Sequence, residues 1–287
     1  MKSSRQIISE DIKSVADRTN LGDLKGKSLL LLGANGLLGS YLAFLFQYLN
    51  DNLSFDMKVD LITKSEISRK SKIQDLLGTP RFSFINQDLS EPRIYPQKYD
   101  FIIHAAGYAA PASFLSDPIQ TIDVNYIGIK SILESSSKVN PQAKILYLSS
   151  SEIYGSPPAG NFPTPETYPG LSSVTSNRAC YIESKRLSEV LCLSYIEKYG
   201  LNIKIARPAL SYGPGLTFED GRVISQFMKK AYSDKVIKMA DDGSDLRNFC
   251  YMSDVLRQLV NILLFAKDTI YNVGSSEEEI SIRELAV

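Results

Sequence analysis

An α/β fold, with a parallel sheet wound by helices on both faces, is the class this sequence predicts, and three observations predict it. Ser28–Leu32 is a continuous apolar run, as suits a parallel strand buried on both faces. Directly after it, Gly33-Ala-Asn-Gly36-Leu-Leu-Gly39 turns into apolar positions at helical spacing, including Leu38, Tyr41, Leu42, Leu45 and Leu49. Short apolar runs and helical patterns then alternate up to about Ala206, the pattern of crossover-linked parallel strands. Together these describe a doubly wound (Rossmann) sheet, followed by a smaller C-terminal lobe.

Composition narrows the function classes. With 287 residues, 44% of them apolar, the chain can form one large α/β domain or two modest ones. Lys plus Arg equals Asp plus Glu at 32 each, so no overall field draws nucleic acid or an anionic membrane. Cys180, Cys192 and Cys250 show neither paired nor metal-type spacing, which points to a reduced, cytoplasmic protein. A single histidine, His104, rules out His-rich metal sites, and no metal is expected. Ser28 to Asn50 carries no charge and is long enough to span a membrane. Gly33, Asn35, Gly36, Gly39 and Ser40 interrupt it, however, and a strand–turn–helix explains it better. Residues 1–27 are polar and mix acids with bases, unlike a signal peptide.

Residues 1–26 form an N-terminal extension whose Ile7, Ile8, Ile12 and Val15 suit a short amphipathic helix. The glycine turn that follows the first strand suits cofactor binding. Glycines let the backbone approach a pyrophosphate, and the helix N-terminus offers free N–H donors. Gly33, Asn35, Gly36, Leu37, Leu38 and Gly39 are its candidate residues. The second strand, Lys58 to Thr63, should end with an acid for the adenosine ribose, but the chain reads Thr63-Lys64-Ser65. Lys64 would meet a 2′-phosphate and favour NADP, or it is a solvated lysine. NAD is preferred on other grounds and the choice stays open. After the third strand, Phe82 to Asn86, come Asp88 and Leu89; the acid either accepts from the adenine amino group or is a surface aspartate. The fourth strand runs into Ala105, Ala106 and Gly107, small enough for a cofactor to lie close, and His104 is expected to pack there rather than react. Asn125 lies inside the next helix, 118–138, where an asparagine is unfavoured unless it makes a local hydrogen bond.

The fifth strand, Lys144 to Ser149, delivers Ser150-Ser151-Glu152-Ile-Tyr-Gly155 to the carboxyl edge of the sheet, where open α/β folds bind ligands. Alone this is a polar loop. The helix from about Arg178 to Tyr199 gives it partners, because Tyr181 and Lys185 are four residues apart and share a face. A cation beside a phenol favours its ionised form. A serine to steady a substrate oxygen, a tyrosine to exchange its proton and a lysine to tune the tyrosine make a set for alcohol–ketone chemistry beside a nicotinamide.

The Gly33–Gly39 motif, Ser150, Tyr181-x-x-x-Lys185 and Arg207-Pro208-x-x-x-Tyr212-Gly213-Pro214 resemble an extended short-chain dehydrogenase/reductase, more narrowly the nucleotide-sugar epimerase/dehydratase family. The nearest look is to UDP-glucuronate decarboxylases, through Ser150–Gly155, Arg178-Ala-Cys-Tyr181, Asp220-Gly-Arg222-Val and Arg247 before Tyr251-x-Ser253-Asp254. The resemblance implies that Tyr181 takes the proton of the sugar 4-hydroxyl while the C4 hydride passes to NAD⁺. The 4-ketone then promotes loss of CO₂ from C6, with Ser151 and Glu152 managing protons, and the hydride returns. The cofactor is regenerated each turnover, which is the ground for preferring NAD. Sugar-nucleotide 4,6-dehydratases carry an acid where this chain has Ser151, which argues against water elimination. Arg178, Arg222 and Arg247 are the candidate substrate-binding residues. A planar fork suits the diphosphate for Arg222 and Arg247, and either is otherwise a surface salt-bridge partner.

Three departures stand out: Leu210 replaces the family's asparagine, the second-strand acid is missing, and relatives generally continue beyond the capping box at Ser281–Glu284. The expected division is an NAD(P)-binding domain at 27–206 carrying the catalytic residues and a substrate-binding lobe at 207–287. The proline-rich loop Pro157 to Pro169 is expected either as a mobile flap or as a rigid connection. The resemblance implies a homodimer through the helices near 118–138 and 178–199. The alternatives to decarboxylase are epimerase or 4,6-dehydratase, then an NADPH-dependent 4-keto-sugar reductase, then a non-catalytic nucleotide-binding protein.

Overall fold

The computed structural model describes residues 2–239, 241–275 and 279–287. The strands are β1 Ser28–Leu32, β2 Lys58–Thr63, β3 Phe82–Asn86, β4 Phe101–His104, β5 Lys144–Leu148, β6 Asn202–Pro208, β7 Leu210–Tyr212, β8 Leu246–Arg247, β9 Phe249–Tyr251, β10 Ile270–Val273 and β11 Ile280–Ser281. The helices are α1 Ser4–Arg18, α2 Leu37–Leu53, α3 Pro111–Ser116, α4 Pro118–Val139, α5 Ala179–Tyr199, α6 Val223–Ser233, α7 Met252–Phe265 and α8 Ile282–Leu285.

Seven strands form one parallel sheet in the order β10-β6-β5-β4-β1-β2-β3. The order reverses beside β1, which is where such sheets bind nucleotides. Alternation along each strand sorts the core into two layers. Leu29 and Leu31 face α2, α7 and the inner side of α1, whereas Leu30 and Leu32 face α4 and α5. All four are fully buried, which is why β1 needs an unbroken apolar run.

Local chemistry sets the helix limits. Ser3 and Gln6 cap α1 reciprocally, Asp117 caps α4 with Pro118 in its first turn, and α5 stops at Gly200 in the left-handed region (φ 66°). Beyond residue 206 the expected division into lobes does not follow the sheet. Strand β10, from the segment expected to be substrate lobe, pairs with β6 through Tyr271 and Ala206 and closes the sheet's edge. Helix α7 covers the face shared with α2. Among the described residues, what stands off the sheet is the pair β7–β9, the pair β8–β11, α6 and α8.

Candidate active site

The carboxyl edge of the sheet is built around the turn after β1. Gly33 holds φ 81°, and a Cβ there would lie 2.6 Å from the Cα and N of Ala106 at the end of β4. Only glycine fits this approach. A Cβ on Gly39 would run into the Gly33 carbonyl, so α2 sits directly on the turn. Gly36 is the N-cap of α2 and offers no side-chain acceptor, leaving the first N–H groups of the helix to a ligand. Leu37 and Leu38 pack their side chains on the core, so each can serve a ligand through its backbone. The Asn35 side chain turns away, accepting from the Lys72 amide at 2.8 Å, and acts by fixing the turn. A donor-lined turn at a helix N-terminus, closed against β4, fits a dinucleotide's pyrophosphate.

Around this cradle, the Thr63 hydroxyl donates to the Ser65 carbonyl and Leu89 is buried in the layer under α4. The Ala105 amide is spent on the Leu32 carbonyl at 3.0 Å. Asn125 is fully buried at the seam of α4 and α5. Its side-chain amide donates to the Ser184 hydroxyl at 2.9 Å, while Ser188 Oγ donates to its backbone carbonyl at 3.0 Å. Among the described residues its Oδ1 has no partner, and with Lys185 Nζ it borders Gly107. A buried acceptor left open beside the small residues of β4 is what a bound nicotinamide ribose or carboxamide would satisfy.

Tyr181 and Lys185 lie on one face of α5 and both are buried, at 4% exposure each. The phenol ring stacks on Phe114 of α3 at 5.0 Å between centroids. Burial pushes Tyr181 up to about 12; its hydrogen bond with Ser150 works downwards, Glu152 upwards, and Arg222 and Arg178 downwards. Ser150 is buried and its hydroxyl also accepts from the Glu152 amide at 3.2 Å. Lys185, the residue expected to tune Tyr181, is anchored on the sheet. Its ammonium donates to the Leu148 carbonyl at 2.8 Å and lies over the Tyr147 ring. The cations that bear most on the phenol are Arg222 and Arg178. Burial draws Lys185 down to about 8, with Glu189 opposing.

Glu152 and Arg178 are bonded to each other. Arg178 reaches both carboxylate oxygens at 2.6 Å, with its guanidinium over the Phe114 ring at 5.2 Å. Ser151 opens the short turn that presents this glutamate. Arg222 is held by Asp220 at 2.6 Å, close enough to act on Tyr181. Arg247 is exposed and pairs with Asp245 at 2.8 Å; it is not among the charges that act most on the phenol. His104 is fully buried, and burial takes it down to about 3, so it is a neutral, packed ring, tilted against Tyr147.

Sequence reasoning missed several supports. Phe114 sits on a helix, α3, whose one signal was Pro111 at its first turn. The loop Pro157 to Pro169, expected as flap or rigid connection, is anchored along its second half. Arg207 donates to the Glu166 carbonyl, Asn272 to the Thr164 carbonyl and Arg186 to the Pro169 carbonyl. A Cβ on Gly170 would strike the Ile153 carbonyl, so this half of the loop lies flat on the turn that carries Glu152.

Residues 29–274 match the model of the NAD dependent epimerase/dehydratase family. UDP-glucuronic acid decarboxylase 3 of Arabidopsis thaliana is 32% identical over 252 residues, covering 87% of this chain and 70% of that protein. UDP-glucuronic acid decarboxylase 1 of Danio rerio is 32% identical over 259 residues, 90% of this chain and 59% of the relative. Among solved structures, UDP-N-acetylglucosamine 4-epimerase from Methanobrevibacter ruminantium M1 superposes with a TM-score of 0.75 at 22% identity, covering 91% of this chain and 80% of that one. dTDP-glucose 4,6-dehydratase from Bacillus anthracis, in complex with NAD, gives 0.73 at 21% identity, over 91% and 79%. These two likenesses are of fold.

Proposed function

The chain belongs to the NAD dependent epimerase/dehydratase family, and from that premise we propose that it is a nucleotide-sugar decarboxylase that oxidises its sugar transiently at C4, acting on a UDP-glucuronate-like substrate. The observation that carries this reading is the Arg178–Glu152 pair, joined through Phe114 to the buried, Ser150-bonded phenol of Tyr181. A guanidinium beside the proton-transfer group is what a sugar bearing a carboxylate needs, and a neutral hexose does not.

When bound, NAD supplies the acceptor of the C4 hydride and its donor on return. The residues that would hold it are the α2 N-terminus at Gly36–Leu38, Asn125, Lys185 and Tyr181. Ser150 would fix the 4-oxygen of the sugar and Tyr181 would take its proton. Burial makes the free phenol a reluctant acid, so Arg222, Arg178 and Ser150 lower the cost of the phenolate. A ketone at C4 leaves the C6 carboxylate as a β-keto acid, which sheds CO₂ without a strong base. Arg178 would exchange Glu152 for that carboxylate, freeing Glu152, with Ser151, to place a proton at C5. Arg222 and Arg247, each now held by a neighbouring aspartate, would take the diphosphate.

The enzyme is proposed to be cytoplasmic, which the free state of its three cysteines supports. It is proposed to be a homodimer through α4 and α5. These two helices leave Ile119, Leu187 and Val190 at 72%, 48% and 58% exposure. A monomer in sedimentation, with Val190→Asp changing nothing, would exclude that dimer.

The test is a panel of nucleotide sugars incubated with purified protein and followed by mass. A uronate should lose the mass of CO₂ with no coenzyme consumed, and Tyr181→Phe should abolish this while still binding substrate. Loss of water would mean a dehydratase, unchanged mass with altered retention an epimerase, and dependence on consumed NADPH a reductase. Full activity of Tyr181→Phe would overturn the mechanism.

A further inference from the structure

Helix α1 lies outside residues 29–274, the stretch that matches the family. Its inner face packs on α2 and α7, with Ile12 and Val15 buried. Beside them stands an acid. Asp11 is half-buried, and its partners are two phenols rather than a cation. The Tyr251 hydroxyl donates to its Oδ2 at 3.0 Å, and the Tyr41 hydroxyl to the same oxygen at 3.4 Å. Burial raises the carboxyl above its ordinary range, and the two phenols only partly oppose this. For the fold alone the arrangement is poor, because an acid taken from water without a cation costs stability. An apolar side chain would seal α1 onto α2 better.

What that oxygen joins explains its presence. Tyr41 is fully buried on α2, one turn after Leu37, the first residue of the helix. Tyr251 ends β9, with the Tyr212 ring edge-on to it at 5.4 Å. A Cβ on Gly213 would lie 2.9 Å from the Met252 side chain and 3.5 Å from the Tyr251 ring. Two residues on, a Cβ on Gly215 would lie 3.2 Å from Leu37 Cδ1. The segment 212–215 therefore runs from Tyr251 back to the N-terminus of α2, and Asp11 closes the circuit from behind. The same helix steadies the other flank of the turn. Arg5 pairs with Asp75 at 2.5 Å and reaches the Lys72 carbonyl, while the Lys72 amide holds Asn35 at 2.8 Å.

We infer that Asp11 is a positioning residue for the dinucleotide: one carboxylate oxygen of α1 fixes α2 and the segment 212–215 against each other, and so holds the donor-lined turn ready for a pyrophosphate. Helix α1 is thereby part of the binding machinery, although it lies on the far side of α2 from the ligand. The inference rests on the cofactor family and not on which sugar is turned over, so its failure would leave the proposed reaction standing.

Calorimetric titration of the purified chain with NAD, paired with thermal unfolding, tests it without reference to activity. Asp11→Leu removes the shared acceptor and should weaken NAD about tenfold, with little change in melting temperature. Asp11→Asn keeps an oxygen with two lone pairs and should stay within about threefold of wild type. Tyr251→Phe, a change on the sugar side of the circuit, should weaken NAD about threefold. Val15→Ala loosens the same helix without touching the phenols, so it should lower the melting temperature while leaving NAD affinity within about twofold. Unchanged NAD affinity in Asp11→Leu, no retention of binding in Asp11→Asn, or equal weakening in Val15→Ala would each overturn it, the last by showing that α1 serves stability alone.

Discussion

Arg207 and Glu189 meet at 2.6 Å with both side chains only 7% exposed. Arg178 and Glu152 meet at the same 2.6 Å, with 37% and 32% of their side chains in solvent. The first pair is closed on every side: Arg207 also donates to the Tyr154 hydroxyl at 2.8 Å and to the Glu166 carbonyl, and Tyr154 in turn donates to Asn272. It ties α5, β6, β10 and the proline-rich loop into one body. The second pair has few other obligations and faces the phenol. Equal length therefore says nothing about the role of an ion pair. Burial and the count of other bonds decide whether it holds the fold or waits for a ligand.

Breaking the closed pair should have the largest effect. Arg207→Met leaves Glu189 buried and unpaired, which costs about 3–5 kcal/mol of folding stability. Denaturant unfolding checks this, and a loss near zero would mean that the network is ornamental. Breaking the open pair should separate activity from stability. Arg178→Met should lower turnover of a uronate substrate about hundredfold, while stability moves by less than about 1 kcal/mol, as for an exposed pair. Similar stability losses in the two arginine variants would erase the contrast.

Lys185 is a third case, buried with no carboxylate of its own among the described residues, since Glu189 is already bonded by Arg207. Its value falls from 10.5 to about 8, which corresponds to an upper limit of about 3 kcal/mol in burial cost. Lys185→Met forfeits the hydrogen bond to Leu148, so a net gain of about 1–2 kcal/mol is expected together with loss of turnover. The sign follows from linkage. A lowered folded value makes the penalty complete below about 8 and lets it fade as pH rises towards 10.5. Unfolding of wild type and variant should accordingly differ most at neutral pH and converge above that window.

Much of this was legible in the chain. The apolar run at Ser28–Leu32, the glycine turn and the spacing of Tyr181 and Lys185 are local signals, and periodicity carries them. What was not legible is long-range. Ile270–Val273 is too short and too evenly buried to announce that it closes the sheet against β6. Glu152 and Arg178 were both singled out, but not for each other, since they are brought together by the turn after β5 and the N-cap of α5. Lys185 spends its charge on a backbone carbonyl, which no side-chain pattern reports. Lys64 shows the same limit: its partners, Tyr108 and Asp88, come from two other strand ends and are not written beside it in the sequence.

The central claim is that Ser150, Tyr181 and Lys185 serve a transient oxidation at C4 which makes a neighbouring carboxylate leave. UDP-glucuronate deuterated at C4 tests it most directly, with products followed by mass. A pentose product that has lost CO₂ and kept its deuterium is expected, from protein given no added coenzyme. A product that has lost the label, or CO₂ release that persists in Tyr181→Phe, would contradict it.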